Sequence, residues 1–500
     1  MKPTIFMALD KHNKATDKPR DRERKLLRRR HRRAWRFKVY CFTALVLATG
    51  FLLLFFYNIG SKAYPAFVQA RILVDVNYRA SSREIPKRAI DRAYRDFVSH
   101  AYFRLIPRRI EKNPELLGTT REELVLATSE VDQYLKHSQD RYHRLIKWLQ
   151  DTKEEYETIL PRIEKKVEPV QDRMYAIDAR LAKLEFDLPP DIYAKSEEVA
   201  QLQAERKNIE QQITEMRGGI VARYEEAQAK VREIEAMYGG REMIEDIDRL
   251  AESGRIQMKF NTGFFGHGDS KLPEYAGIKA AAVGSMMVLV ITLLVSFPIG
   301  VLSAVYLEEF APDNKFTQTI EVNINNLAAV PSILFGLLGL AIFINFFHVP
   351  RSSVLVGGLT LSLRTLPILI IATRAALRAV PDSIRQGALS VGATPWQSVV
   401  HHVLPLSLPG ILTGTIIGLA QAMGETAPLL IVGMVAFIPE APTSFTDPTT
   451  VLPAQIFTWS SESLRGFVEK TAAGIVVLLV ILLLLNGTAI LLRNKFERKW

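Results

Sequence analysis

The sequence predicts an all-α polytopic membrane protein: six transmembrane helices and a mostly helical domain outside the cytoplasm. Three observations lead there. Hydrophobic residues make up 48% of the 500 positions although 23% are charged, and mean hydropathy is +0.06. The apolar residues are therefore clustered, in runs that reach the roughly 20 residues a bilayer crossing takes. The net charge of +11 belongs to one tail, because residues 1–38 hold 15 Lys+Arg against 4 Asp+Glu and the rest of the chain is balanced. Between the first and second apolar runs lies a long polar stretch with a heptad seam.

The basic tail, KLLRRRHRRAWRFK at its densest, abuts the first apolar run at 39–59. That position fits a cytoplasmic tail near anionic headgroups better than a nucleic-acid-binding arm. No small-residue cleavage site follows the run, so it is read as a retained anchor rather than a signal peptide. The one cysteine, Cys41, lies inside this run, which excludes an internal disulfide and a thiolate metal cluster.

Residues 60–277 are then an extracytoplasmic, periplasmic domain. From Leu160 the apolar positions run Ile163, Val167, Val170, Met174, Ile177, Leu181, Leu184 and Leu188. Alternating steps of three and four make a coiled-coil seam. The DLPPDIY string breaks the helix, since prolines cannot continue it. A second helix carries Val199, Leu202, Ile209, Ile213, Met216 and Ile220 on one face. The pair reads as an antiparallel hairpin over about 160–238. Pro169 predicts a kink in its first arm. Thr120 to Glu123 has the form of a capping box before an amphipathic helix. Two segments, AFVQARILVDVNY from Ala66 and RIQMKFNTGFF from Arg255, alternate like strands and are expected to pair at the base of the domain.

The remaining runs, 278–306, 324–347, 353–376, 408–437 and 471–492, build a membrane core over 278–492. With the N-terminus inside, the loops at 307–323 and 377–407 and the tail 493–500 are cytoplasmic. Arg374, Arg378 and Arg385 on the inner loop, and the basic ending RNKFERKW, agree with that orientation. Asn323, Asn325, Asn326 and Pro331 make 324–347 the least regular span, suited to helix packing or to the wall of a cavity. No GxxxxGK[ST] string occurs, so phosphate-loop chemistry is absent. The histidines are scattered without zinc-like spacing, and no nucleophile–base constellation is visible. The chain is therefore read as no enzyme, with no metal site or cofactor of its own.

The stretch PDSIRQGALSVGATPWQSVVHHVLPLSLPG at Pro381 to Gly410 is a polar, helix-prone segment followed at once by an apolar run. It resembles the EAA loop of ABC importer permeases. GETAPLL at Gly424 to Leu430 resembles the phosphate permeases of the PstA type in particular. LLVSFPIGVLSAVYLEEFAP, NNLAAVPSILFGLLGL and LPAQIFTW support the likeness, which covers roughly residues 260–500. The resemblance implies a type I ABC permease core in the bacterial inner membrane, with both termini cytoplasmic. It implies a homologous permease subunit, an ABC ATPase dimer that binds ATP and Mg, and a periplasmic phosphate-binding protein as partners, and no nucleic acid. The ATPase-coupling residues it marks are Gln386, Gly387, Ala388, Gly392, Leu404 and Pro405. The family's Glu-Ala-Ala is Gln386-Gly387-Ala388 here, and His402 stands where isoleucine is usual. Gly392 and Pro405 are expected to form the bend into the next span. Some members carry arginines and a glutamate at positions that hold Ile371, Arg374 and Gln421 here, so that arrangement does not transfer. The domain over 60–255 has no counterpart in shorter members.

Arg364, mid-span, and Glu425 in GETAPLL are ionisable groups inside apolar runs, which is a functional signal by default. Counted from the outer ends of their spans, both lie roughly 17–18 Å deep at 1.5 Å per residue. Either they line an anion path together with Gln421 and Thr426, or they form an intramembrane ion pair that locks two helices. For the whole chain the leading expectation is phosphate import. A permease for another oxyanion or small solute, and a membrane-anchored sensor or scaffold acting through the coiled coil, are the alternatives.

Overall fold

The apolar runs become helices, two of them broken, in the computed structural model, which describes residues 6–194, 196–435 and 437–496. The extreme ends of both basic tails, and side chains up to residue 29, lie outside the described residues. Helix α1 spans Phe6–Ala63. From Val39 to Tyr57 its large apolar side chains stand open, as suits a helix in a lipid environment.

The chain then enters strand β1, Val68–Asn77, and helix α2, His100–Lys112. Strand β2 follows at Thr120–Leu126 and pairs antiparallel with β1, Leu73 opposite Leu124. This corrects the expected capping box at 120–123. Glu123 reaches across the sheet instead and accepts hydrogen bonds from Tyr78 at 2.7 Å, Tyr102 at 2.9 Å and Arg109 at 2.6 Å. Burial pushes its carboxyl up, but those three donors outweigh burial and hold it below the usual carboxylate range. A cross-sheet partner has outcompeted a local cap.

Helix α3, Gln139–Asp187, and helix α4, Glu197–Met237, form the hairpin. The seam at its far half is Val167, Ile177, Ile209 and Ile213, flanked by Ile163, Val170, Met174, Leu181, Leu202 and Met216. The first arm starts at Gln139, well before the seam at Leu160, and stays helical through Pro161 and Pro169. It is therefore about 74 Å long at 1.5 Å per residue. Its early turns pack on the domain core through Tyr142 rather than on a seam. Helix α5, Arg241–Glu252, leads to strand β3, Ile256–Phe260, which pairs with β1 as expected, Val68 opposite Phe260. The sheet is thus three-stranded, in the order β2-β1-β3. One core joins it to α2, α5 and the hairpin root through Ile72, Val74, Ile106, Tyr134, Ile234 and Ile247.

The membrane core begins with α6, Lys279–Val305, continued by a π turn to Phe310. The expected single span at 324–347 is instead two helices, α7, Lys315–Ala328, and α8, Ser332–Gly339, the latter extended by a π segment to Phe346. They meet at 103°. Pro331 explains the break, because it disfavours helical backbone in the residue before it. Helix α9 is Val354–Arg378, and α10, Asp382–Ser390, heads the loop after it. Helix α11 is Leu404–Gly424, reached without interruption from Pro395 through a π turn at 399–403. Helix α12, Gly466–Phe496, ends the description. Among the described residues, five helices are long and apolar enough to span a membrane, six if the bent pair counts as one span.

Candidate functional site

The expected fifth span at 408–437 does not run through Glu425. Helix α11 stops at Gly424, and Glu425 is extended at φ −75°, ψ 125°. Pro428, at the start of the short helix Ala427–Ile431, has no N–H to continue the helical ladder across the gap. Glu425 and Thr426 thus occupy a break between two helical pieces. Unsatisfied backbone at membrane depth is tolerated where protein or a cavity surrounds it.

Small residues bring that break to Arg364. On α11, Gly410, Gly414 and Gly418 face α9. A Cβ added at Gly410 would lie 2.7 Å from the Ala376 Cβ, and one at Gly414 only 2.3 Å from the Ala372 Cβ. The two helices therefore run antiparallel in close contact, as small-residue stripes permit. Two to three turns further along, Arg364 Nη2 lies 2.7 Å from Glu425 Oε1, with 15% and 18% of the side chains exposed. Helix α8 closes the other side: a Cβ at Gly336 would fall 2.8 Å from the Pro428 Cα. Thr426 is half-buried beside the pair, and Gln421 is exposed on an outer face of α11.

The residues expected to couple to an ATPase lie beyond the C-terminal end of α9. Gly392 has φ +88°, a left-handed turn that a glycine takes without strain. The chain then restarts as a helix at Thr394, whose side chain forms a capping box with Gln397. Gly392 makes the bend, as expected. Pro405 does not, because it sits with Leu404 inside continuous helix just after the π turn. That wider turn accommodates the ring and missing N–H of Pro405. Gln386 and Gly387 are exposed, whereas Ala388 is buried. The open apolar side chains on this loop are Leu389, Val391 and Trp396, at 48%, 86% and 61% exposure. Motif matching passed over these three; their signal is apolar residues in an otherwise polar loop.

The loop is held by ion pairs that sequence reading also missed. Arg374 bonds Glu308 at 3.1 Å and Glu321 at 2.6 Å, Arg378 bonds Glu308 at 2.6 Å, and Arg385 bonds Glu309 at 2.7 Å. Arg385 also donates to the carbonyls of Val380 and Leu377. Beneath them Val305, Leu377, Val380, Val399 and Val403 form a small apolar cluster. The start of the loop is therefore tied to the end of α6 and to α7.

This core of broken and tightly packed helices, with an exposed loop between two spans, matches a known class. Residues 296–499 match the family described as "Binding-protein-dependent transport system inner membrane component". Residues 24–92 match a family described only as a domain of unknown function (DUF3333). The phosphate transport system permease protein PstA of Yersinia pestis is 30% identical over 223 residues, 45% of this chain and 73% of that protein. The probable ABC transporter permease protein YqgI of Bacillus subtilis is 33% identical over 178 residues, 36% of this chain and 60% of that protein. PstA of Mycobacterium leprae is 33% identical over 159 residues, 32% of this chain and 52% of that protein. The chain thus spans between about half and three-fifths of the YqgI and M. leprae relatives. Among solved structures, the inward-facing MetNI methionine ABC transporter is similar at 17% identity and a TM-score of 0.35, over 44% of this chain and 96% of that one. The chain belongs to the PstA-type family of ABC transporter permeases. It is a multi-pass membrane protein, and its mostly helical fold with a permease core is the class the sequence predicted.

Proposed function

We propose that this chain is the membrane permease subunit of an ATP-driven importer of inorganic phosphate. The observation that carries the reading is the loop 382–404. It presents Leu389, Val391 and Trp396 to solvent while its root is fastened to α6 and α7 by part-buried ion pairs. An exposed apolar ledge on a rigid mount suits docking to another protein. Its occupant in this reading is an ATPase subunit, which holds the ATP and Mg. The chain itself hydrolyses nothing. The other partners are a homologous permease and an extracytoplasmic phosphate-binding protein. Both termini and the loop face the cytoplasm of a bacterial cell, and residues 60–277 stand outside it. Phosphate as cargo rests on GETAPLL and on the PstA relatives.

In this reading, closure of the ATPase pair pushes on the ledge, and the push passes along two routes. One is the continuous helix from Pro395 into α11; the other is Arg385–Glu309 into α6. Both lead to the packed helices that hold Arg364 and Glu425. The two, 2.7 Å apart, act in this reading as a lock between α9 and the broken end of α11. Opening the lock frees the guanidinium for an anion.

Uptake of labelled phosphate by a permease-deletion strain carrying this chain and its partner subunits tests the reading. Gly392→Arg is expected to abolish uptake with the protein still inserted, because it strains the turn and blocks the ledge. Normal uptake in that variant overturns the coupling role. Exchanging the charges, Arg364→Glu with Glu425→Arg, separates the two roles of the pair. A pure lock keeps uptake after the exchange, whereas an anion path loses it.

A further inference from the structure

The membrane-proximal end of the three-stranded sheet has an apolar face that the protein does not cover. On β3, Ile256, Met258 and Phe260 share one face, opposite Ile72, Ala70 and Val68 of β1. Side chains alternate along a strand, so this is the face that forms the domain core. Exposure climbs along it from 7% at Ile256 to 43% at Met258 and 59% at Phe260. Phe265, 46% exposed, continues the patch. Its ring stacks on Phe67 at 6.0 Å and on Phe260 at 6.3 Å. Tyr64, 68% exposed, stands at the end of α1. β3 is also an edge strand, and its outer backbone groups need hydrogen-bond partners.

We infer that this ledge of Tyr64, Met258, Phe260 and Phe265 lies in the phospholipid headgroup layer, so that the base of the folded domain is seated in the membrane surface. Position selects lipid over another protein. The open apolar run of α1 begins at Val39. A hydrocarbon core about 30 Å thick takes about 20 residues and so ends near residue 59, which leaves Tyr64 about 8 Å further on at 1.5 Å per helical residue. The headgroup region adds roughly 5–8 Å on each side of the hydrocarbon core. No linker intervenes: α1 ends at Ala63, and β1 begins at Val68. Phe260 pairs directly with Val68 and cannot leave that layer while the sheet is intact. Aromatic side chains are at home there, with an apolar body inward and a wet edge outward. Water and headgroups supply the donors and acceptors that the strand edge needs. Lys62, in the last turn of α1, adds a charge that anionic headgroups attract.

Cys41 is the one native cysteine, so the full chain with Cys41→Ser accepts single nitroxide labels. Met258→Cys, Phe260→Cys and Phe265→Cys, with Lys259→Cys as control, would be labelled in vesicles of phosphatidylethanolamine and phosphatidylglycerol. Collision rates with oxygen, which enriches in lipid, and with a neutral nickel chelate, which stays in water, would be read for each. Oxygen-dominated collisions at 258, 260 and 265, reversed at 259, are expected. Nickel-dominated collisions at all four overturn the inference in favour of a water-facing patch. Exclusion of both reagents from 258, 260 and 265 overturns it in favour of a covering protein. The replaced side chains are exposed, so folding survives. Should Phe260→Cys still unfold, the Met258 and Phe265 labels give the same reading.

Discussion

Glu309 has only 7% of its side chain exposed, and Arg385 answers it with both Nη2 and Nε, at 2.7 and 3.1 Å. Removing Arg385 leaves the more deeply buried partner of a part-buried pair uncompensated, which costs less than the roughly 3–5 kcal/mol of a fully buried pair. Arg385→Ala should therefore lower the melting temperature of the detergent-solubilised protein clearly, and Glu309→Gln in the same background should recover most of the loss. An unchanged melt in the single variant would show that Glu309 finds another partner. The arginines of this cluster were legible as charges on an inner loop. Their partners were not, because Glu308, Glu309 and Glu321 lie 53–76 positions earlier in the chain. A pairing across that distance has no local pattern to betray it. Glu425 differs. Its cost inside an apolar run marks it as special, although the helix break that exposes it to Arg364 depends on Pro428 three residues later.

At the scale of elements, periodicity was a reliable guide wherever one face of a segment is buried by its own neighbour. The hairpin seam and the β1–β3 pairing are of that kind. Strand β2 escaped because its choice between strand and helix is made by Tyr78, Tyr102 and Arg109 in other segments. The close approach of α9 and α11 was written in the sequence as Gly410, Gly414 and Gly418, four residues apart, yet it becomes meaningful only once the facing Ala372 and Ala376 are known. Gly414→Val tests how tightly that contact is set. A Cβ 2.3 Å from the Ala372 Cβ cannot be relieved by a rotamer change, so the helices must part. Overpacking of this kind costs about 1–3 kcal/mol. A melting temperature lower than that of the parent is expected, with partial recovery on adding Ala372→Gly. If Gly414→Val melts like the parent, the packing is looser than the geometry states.

For the whole molecule, the decisive contact joins the folded domain to the last membrane helix. Glu469, at the start of α12, is 8% exposed in its side chain. It accepts a hydrogen bond from Gln133 at 2.6 Å and contacts Lys136 and His137. Lys136 also pairs with Asp132, and Asp132 accepts from the Ala70 N–H of β1 at 2.7 Å. An unbroken chain of charged and polar contacts thus runs from the sheet, through the root of the hairpin, to a membrane span. The segment 129–138 that makes it leads straight into α3. A force at the hairpin's far end, about 74 Å away along the helix, therefore reaches α12 without crossing a flexible linker. Glu469→Ala removes the central acceptor and leaves Lys136 with Asp132 alone. The domain should then loosen on its base while its own core, centred on Ile72 and Ile106, stays intact. Hydrogen exchange resolves the two. Faster exchange is expected in 129–138 and 262–278, with no change in the amides of β1 paired to β2. Equal protection at 129–138 in the variant and the parent would mean that the apolar contacts of Phe264, Trp459 and Phe467 alone hold the domain in place. Acceleration throughout β1 would mean that Glu469 supports the folding of the domain rather than its attachment.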